Sequence, residues 1–310
     1  MIVALSGGIG GAKLALGLAR LLPPERLLIV ANTGDDFEHL GLSISPDLDT
    51  LAYTLAGLDN PELGWGRRDE SWAAMETLEA LGGEAWFRLG DRDLALHLFR
   101  TARLCAGAPL SAVTAEICAR LGVSPRVLPA TDDRLRTRLD TDQGWLAFQE
   151  YFVHRRCVPK VRAIAFDGAA SARPQPAALA AIAAAEAVVI CPSNPFISIE
   201  PILAVPGLRA ALAATAAPVI AVSPIIGGRA VKGPTAKMME ELGLEVSARA
   251  VAERYGALLD LFVADPADAA AVAGVGPRVV AAPTLMHTLT EKTALARVVL
   301  DAAGLAARNA

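Results

Sequence analysis

The strongest constraint on the fold stands at the start of the chain, where the short apolar run Ile2 to Ser6 leads directly into Gly7-Gly8-Ile9-Gly10-Gly11-Ala12-Lys13. Ala12 to Leu22 carries the apolar spacing of a helix, Pro23 and Pro24 stop it, and Leu27 to Val30 reads as a second strand. A strand, a glycine turn, a helix and another strand need a crossover connection, so the two strands belong to a parallel sheet. In that setting the glycines let backbone N–H groups approach a phosphate, the helix N-terminus adds a favourable field, and Lys13 adds charge. A tight turn without a ligand is the plain alternative. The run lacks the Gly-Lys-Ser/Thr ending of a P-loop and the last glycine of the dinucleotide fingerprint. The second strand ends in Asn32, where a ribose-binding acid is expected, which disfavours a nicotinamide enzyme.

The second strand runs out into Asn32-Thr33-Gly34-Asp35-Asp36-Phe37, and Ser45-Pro46-Asp47-Leu48-Asp49-Thr50 follows. Four carboxylates thus arrive near the carboxyl edge of the sheet, where open α/β folds place ligands. Paired aspartates there suit Mg²⁺, which bridges carboxylates to phosphates; Asp47 or Asp49 taken singly reads equally as a helix N-cap. Arg88-Leu89-Gly90-Asp91-Arg92-Asp93 precedes another helix and offers Arg88 or Arg92 to an anion, or else an N-cap at Asp91 with surface ion pairs. Pro192-Ser193-Asn194-Pro195, Ser223-Pro224-Ile225-Ile226-Gly227-Gly228 and Lys232-Gly233-Pro234 fall at later strand ends, as pocket walls or as ordinary turns. His39, His97, His154 and His287 form no two-His helical motif, and His39, beside the acids, reads as structural.

The rest of the chain predicts an α/β, Rossmann-like, mostly parallel sheet flanked by helices, with a smaller mainly helical subdomain. The core is expected over 1–64 and 123–310, and the subdomain over 65–122, where Ser71 to Leu81, Asp91 to Leu104 and Ser111 to Leu121 read as helices. Arg136 to Val153 suits a hairpin-like excursion. Strands are expected at Val161 to Phe166, Val188 to Cys191, Val219 to Val222, Leu261 to Ala264 and Val279 to Ala282. The net charge of −4 gives no global reason to collect nucleic acid or anionic membrane. Although the hydrophobic fraction is 53%, charges and prolines interrupt every apolar stretch, so no membrane span is expected. Met1 to Leu5 reads as a strand and not as a signal peptide. Cys105, Cys118, Cys157 and Cys191 form no metal or redox pair and read as reduced core thiols of a cytoplasmic protein.

Taken together the motifs resemble the 2-phospho-L-lactate transferases of coenzyme F-420 biosynthesis. The resemblance runs through the glycine loop with Lys13, Asn32 to Asp36, Ser45 to Thr50, Leu89 to Asp93, Phe148-Gln149-Glu150-Tyr151, Pro192 to Pro195 and Ser223 to Gly228. It implies a guanosine-diphosphate-activated phospho-acid as donor, the deazaflavin Fo as acceptor, loss of GMP, Mg²⁺ as cofactor, and a homodimer. Carried over, Gly7, Gly8, Gly10, Gly11, Lys13, Asn32, Ser193 and Asn194 face the nucleotide, and Asp49, Thr50, Arg88 and Asp91 face Fo. Asp36, Asp47 and Asp49 are the metal candidates, and Asp36 and Asp49 the catalytic ones. Two positions depart from the family pattern: Ile9 replaces a small hydroxyl residue and Glu200 a glycine. Phospholactyl, phosphoenolpyruvyl and 3-phosphoglyceryl donors all remain open. The rival from another class is a nucleotide-sugar-binding regulator with the same glycine loop, which would not need the Leu89 to Asp93 and Phe148 to Tyr151 segments.

Overall fold

The structure, a computed structural model, describes residues 1–231 and 233–305, so Lys232 of the predicted Lys232-Gly233-Pro234 loop lies outside the described residues. The chain enters through β1 (Ile2–Ser6), α1 (Gly8–Leu21) and β2 (Leu27–Ala31). A hairpin of β3 (Phe37–His39) and β4 (Leu42–Ile44) comes next, followed by α2 (Pro46–Ala56), α3 (Ala73–Ala80), α4 (Asp91–Cys105) and α5 (Leu110–Arg120). After β5 (Arg126–Pro129) come β6 (Arg136–Thr141), β7 (Gly144–Ala147) and β8 (Val161–Asp167). The C-terminal half supplies β9 (Ala187–Ile190), β10 (Val219–Val222), the small β11 (Ile225–Ile226) and β12 (Arg229–Ala230) hairpin, β13 (Leu261–Ala264) and β14 (Arg278–Ala281).

Among the described residues the central sheet has seven strands in the order β14-β13-β10-β9-β1-β2-β5, every pair parallel. Its inner strands are buried along their whole length, because helices cover both faces of a parallel sheet. Alternation sorts their side chains: Val3, Leu5, Val30 and Ile190 join one core, and Ile2, Ala4, Ile29 and Val189 the other. No single helix among the described residues is long and apolar enough to cross a membrane.

From β1 the chain works outward through β2 to β5, then returns to the other side of β1 and works outward from β9 to β14. The order therefore reverses between β1 and β9, and an open α/β sheet leaves a crevice outside the carboxyl ends of the strands at such a point. These two strands lead into Gly7 with the first turn of α1, and into the loop 191–194.

Three features differ from the sequence reading. The Val161 to Phe166 strand, β8, stands outside the central sheet and pairs antiparallel with β6 of the expected hairpin. Its partly exposed residues do not suit a sheet covered on both faces. The short strands β3, β4 and β5 had not been foreseen. Finally, Cys118 and Cys191 are core thiols, but Cys105 is exposed and Cys157 half-buried.

Within 65–122 the packing divides. Met75 and Leu89, with Leu78, Phe87 and Leu94 beside them, form a satellite core with Ile44 over the β3–β4 hairpin. On α5, Cys118 instead joins the main core with Val123 and Val127.

Candidate functional site at the switch point

The two crevice loops touch. The backbone N–H of Gly7 donates to Ser193 Oγ at 3.3 Å, and a Cβ on Gly10 would lie 2.3 Å from the carbonyl oxygen of Pro192. Only a residue without a side chain permits that approach. Gly8 has φ +63°, the left-handed conformation that glycine adopts without penalty. The first turn of α1, with buried Gly11 inside it, has no acidic residue of its own and no cap from Gly7, and Ser193 and Asp47 provide side-chain acceptors for the Gly7 and Gly8 N–H groups. Such a helix start presents backbone donors and a positive field to an anion. The Lys13 ammonium donates to Met286 O at 2.6 Å and so reaches the segment after β14.

Asn32 pins the crevice floor. Fully buried, it donates through Nδ2 to Asp47 Oδ2 (2.9 Å) and Ile197 O (3.1 Å), and its Oδ1 accepts the Gly34 N–H (2.8 Å). Its amide joins three loops with donors and an acceptor at once, which an aspartate cannot do. Asp47 also accepts the Gly8 N–H at 2.6 Å, so a carboxylate from the start of α2 lies against the glycine loop. Asn194 caps the π-helical turn Pro195–Ile199 by accepting from the N–H groups of Phe196 and Ile197. Glu200, just beyond, has ordinary right-handed helical backbone and pairs with Arg209 and Arg254, so it fits its turn.

Asp35, Asp36 and Asp47 are gathered here, with the Arg136 and Arg100 guanidinium groups acting on Asp36. Burial raises the Asp35 carboxyl well above its usual range, and neighbouring Asp47 adds to this. Burial likewise pushes Asp36 up to about 7, against the pull of the Arg136 guanidinium and the Ser45 hydroxyl, and Asp47 up to about 6, against its bonds from Asn32 and Gly8. Ser45 Oγ donates to Asp36 Oδ2 at 2.9 Å, while Asp36 Oδ1 and Asp35 Oδ1 are buried without a partner. Ser6 Oγ, Thr33 Oγ1 and Thr137 Oγ1 share that condition at the same edge. Unsatisfied buried polar atoms are costly, and a ligand or ion at this edge would satisfy several at once. Among the described residues no three His, Cys, Asp or Glu side chains converge as a ready-made metal cage. Mg²⁺ does not need one, because it is commonly held by one or two carboxylates with substrate phosphates and water.

The remaining residues singled out from sequence have other surroundings. Asp49 is clamped by buried Arg100, and its charge acts on both Asp36 and Asp47. Thr50 is half-buried beside it on α2. Arg88 is exposed and lies over the Trp72 ring at 4.9 Å. Asp91 accepts from Ser71 Oγ and the N–H groups of Ala73 and Ala74, which caps α3, while Glu70 caps α4 through the N–H groups of Arg92 and Asp93. Burial holds His39 below its ordinary value, and its ring packs edge-on to Trp86 at 4.9 Å.

Sequence reasoning passed over Arg100, Arg136 and a cavity of about 480 Å³ lined by Phe37, Glu38, Trp86, Gln149, Glu150 and His154. A signal for Arg100 was present, since Asp93, His97 and Arg100 share one face of a helix. Arg136 and the cavity have no local signature, because the chain segments that form them are distant in sequence.

The family model for 2-phospho-L-lactate transferase CofD matches residues 2–274. The chain is 45% identical over 311 residues to a phosphoenolpyruvate transferase of Streptomyces griseus, covering 97% of this chain and 98% of that protein. To that of Mycolicibacterium smegmatis it is 41% identical over 325 residues, covering 98% and 99%. Among solved structures, a UPF0052-family protein of Bacillus halodurans superimposes with a TM-score of 0.60 at 17% identity, over 96% of this chain and 98% of that one, and so shares the fold.

Proposed function

The chain belongs to the 2-phospho-L-lactate transferase CofD family, and from that premise we propose that it transfers a phosphoenolpyruvyl-type phospho-acid from a guanosine-diphosphate-activated donor to the deazaflavin Fo, in coenzyme F-420 biosynthesis. The relatives named phosphoenolpyruvate transferases favour that phospho-acid among the three left open by the sequence. The observation that carries the reading is the convergence, at the β1/β9 reversal, of a glycine-rich helix start with buried carboxylate and hydroxyl oxygens that have no partner.

The donor diphosphate lies against the glycine-rich start of α1, with Ser193 beside it and Lys13 on the same helix. Mg²⁺ would be held by Asp36 and Asp47, whose buried hard oxygen donors suit it. When bound, it neutralises charge on the diphosphate during transfer. Asp49 and Thr50 stand on the acceptor side. The cavity beside Phe37, Trp86 and His154 has aromatic walls suited to a flat ring, and it adjoins the acidic edge through Phe37.

The terminal ribityl hydroxyl of Fo attacks the phosphorus bearing the phospho-acid. A new P–O bond forms, the bond to the GMP oxygen breaks, and GMP leaves. Positioning and charge neutralisation dominate such an in-line displacement. The test is to incubate the purified protein with Fo, a guanylyl-activated phosphoenolpyruvate and Mg²⁺. Release of GMP together with a phosphorylated deazaflavin is expected. GMP release that does not change when Fo is omitted contradicts transfer, and nucleotide-sugar binding without turnover favours the regulator.

A further inference from the structure

Behind the acidic edge, α2 and α4 meet through polar groups. Asp49 and Tyr53 stand one turn apart on α2, and Asp93, His97 and Arg100 share a face of α4. The contact is interior, since Tyr53 and His97 are 1% exposed and Arg100 2%. Arg100 holds both Asp49 oxygens, Nη1 reaching Oδ2 at 3.0 Å and Nη2 reaching Oδ1. Nη1 also lies 3.0 Å from His97 Nδ1. A guanidinium only donates, so that ring nitrogen accepts and the imidazole proton sits on Nε2, which faces Asp93 Oδ1 at 3.4 Å. Tyr53 Oη donates to the same Asp93 oxygen at 2.6 Å. The contacts thus leave α2 at Asp49, cross α4, and return to α2 one turn later.

Joining two helices does not require this arrangement. Apolar residues of similar volume would do so at equal or lower cost, because a buried ion pair must overcome the desolvation of both partners. What the network adds is orientation: a two-pronged clamp fixes the plane of one carboxylate, and His97, Asp93 and Tyr53 fix the clamp. Arg100 also approaches Ser43 O at 3.4 Å, and Ser43 N–H donates to Thr101 Oγ1 at 2.8 Å, so α4 is tied to β4 at the same level.

We propose that Arg100 is a positioning residue for group transfer. It acts through Asp49, holding that carboxylate and the adjoining Thr50 in register with the acidic edge, and His97 and Asp93 keep Arg100 in place. The proposal rests on the reading of Asp49 as an acceptor-side residue.

A double-mutant cycle tests it. Arg100→Met and Asp49→Asn are each expected to lower kcat about a hundredfold while the donor KM stays within about threefold of wild type. The double variant should be no slower than the slower single variant, because a residue acting through another adds nothing once the other is gone. Losses that multiply would overturn the proposal. Should Arg100→Met fail to fold, Arg100→Lys keeps the charge without the fork and should lose about tenfold in kcat; an unchanged kcat there also counts against the proposal. A readout independent of turnover separates this from the wider reading. In the Arg100 variant, amide hydrogen exchange should rise together over 47–56 and 91–105 and stay unchanged over 8–21. A rise confined to 91–105 contradicts the proposal even if wild-type protein proves inactive toward Fo, a result that would sink the transferase reading alone.

Discussion

Asp36 and Asp49 are both buried, both stand at the carboxyl edge of the same sheet, and are thirteen positions apart, yet their direct hydrogen bonding differs. Asp36 has one hydroxyl donor and a buried oxygen without a partner, and the Arg136 and Arg100 guanidinium groups act on it only through space while Asp49 opposes its charge. Asp49 has a guanidinium on both oxygens, backed by His97, Asp93 and Tyr53. The first arrangement is costly in the free protein, and a bound cation or ligand would relieve it. The second leaves neither Asp49 oxygen without a donor, although His97 Nε2 and Arg100 Nε in the same network have no hydrogen-bond partner among the described residues. A carboxylate left incomplete by the fold points to what binds there, while a carboxylate completed by the fold points to what must be held still.

Substitution of Asp36 should break the contrast most sharply. Asp36→Asn is expected to lower kcat/KM about a thousandfold, since charge stabilisation in a transfer site is worth that much, and to raise the thermal midpoint of the metal-free protein near neutral pH. Turnover and differential scanning fluorimetry on one preparation check both directions. A lower midpoint would mean that Asp36 supports the fold as Asp49 does. Arg100→Met should do the reverse and destabilise, by about 3–5 kcal/mol, because it strands a buried carboxylate; urea unfolding measures it. Tyr53→Phe removes one bond to Asp93 and leaves His97 in place, so the loss should be smaller, about 1–2 kcal/mol in the same titration.

The smallest expected effect is on pH dependence. The folded chain keeps protons on Asp36 up to about 7 and on Asp47 up to about 6, against 3.8 for an ordinary aspartate. Between those limits the folded state binds more protons than the unfolded one. The contribution of these two groups to stability is therefore greatest at acid pH and declines as pH rises through that window. Mg²⁺ competes with the protons. It should raise the thermal midpoint by on the order of a few degrees at about pH 8 and by less at about pH 5. Equal shifts at both would remove Asp36 and Asp47 from the ion.

The sequence announced the part of this design that rests on local spacing. The Gly7 to Gly11 loop between a buried strand and a helix specified the crossover, and the Asp35-Asp36 and Asp47 positions followed from the ends of β2 and the start of α2. Long-range pairing stayed hidden. Whether β8 joins the main sheet depends on which partner covers its faces, and nothing in Val161 to Phe166 alone records that. Asp91 illustrates the same limit, for it caps α3, a helix whose start lies eighteen residues earlier, and not the helix that it opens. The Arg100 clamp could have been anticipated from the spacing of polar residues on two amphipathic helices, but only once those helices were known to face each other.

The proposed chemistry is centred on the crevice between the carboxyl ends of β1 and β9. The most direct measurement is a crystal structure with GDP and Mn²⁺, an anomalous scatterer in place of Mg²⁺. It should show the diphosphate against the glycine-rich start of α1 and a manganese peak between Asp36 and Asp47. Manganese bound away from both aspartates, or a diphosphate seated away from the start of α1, would contradict it.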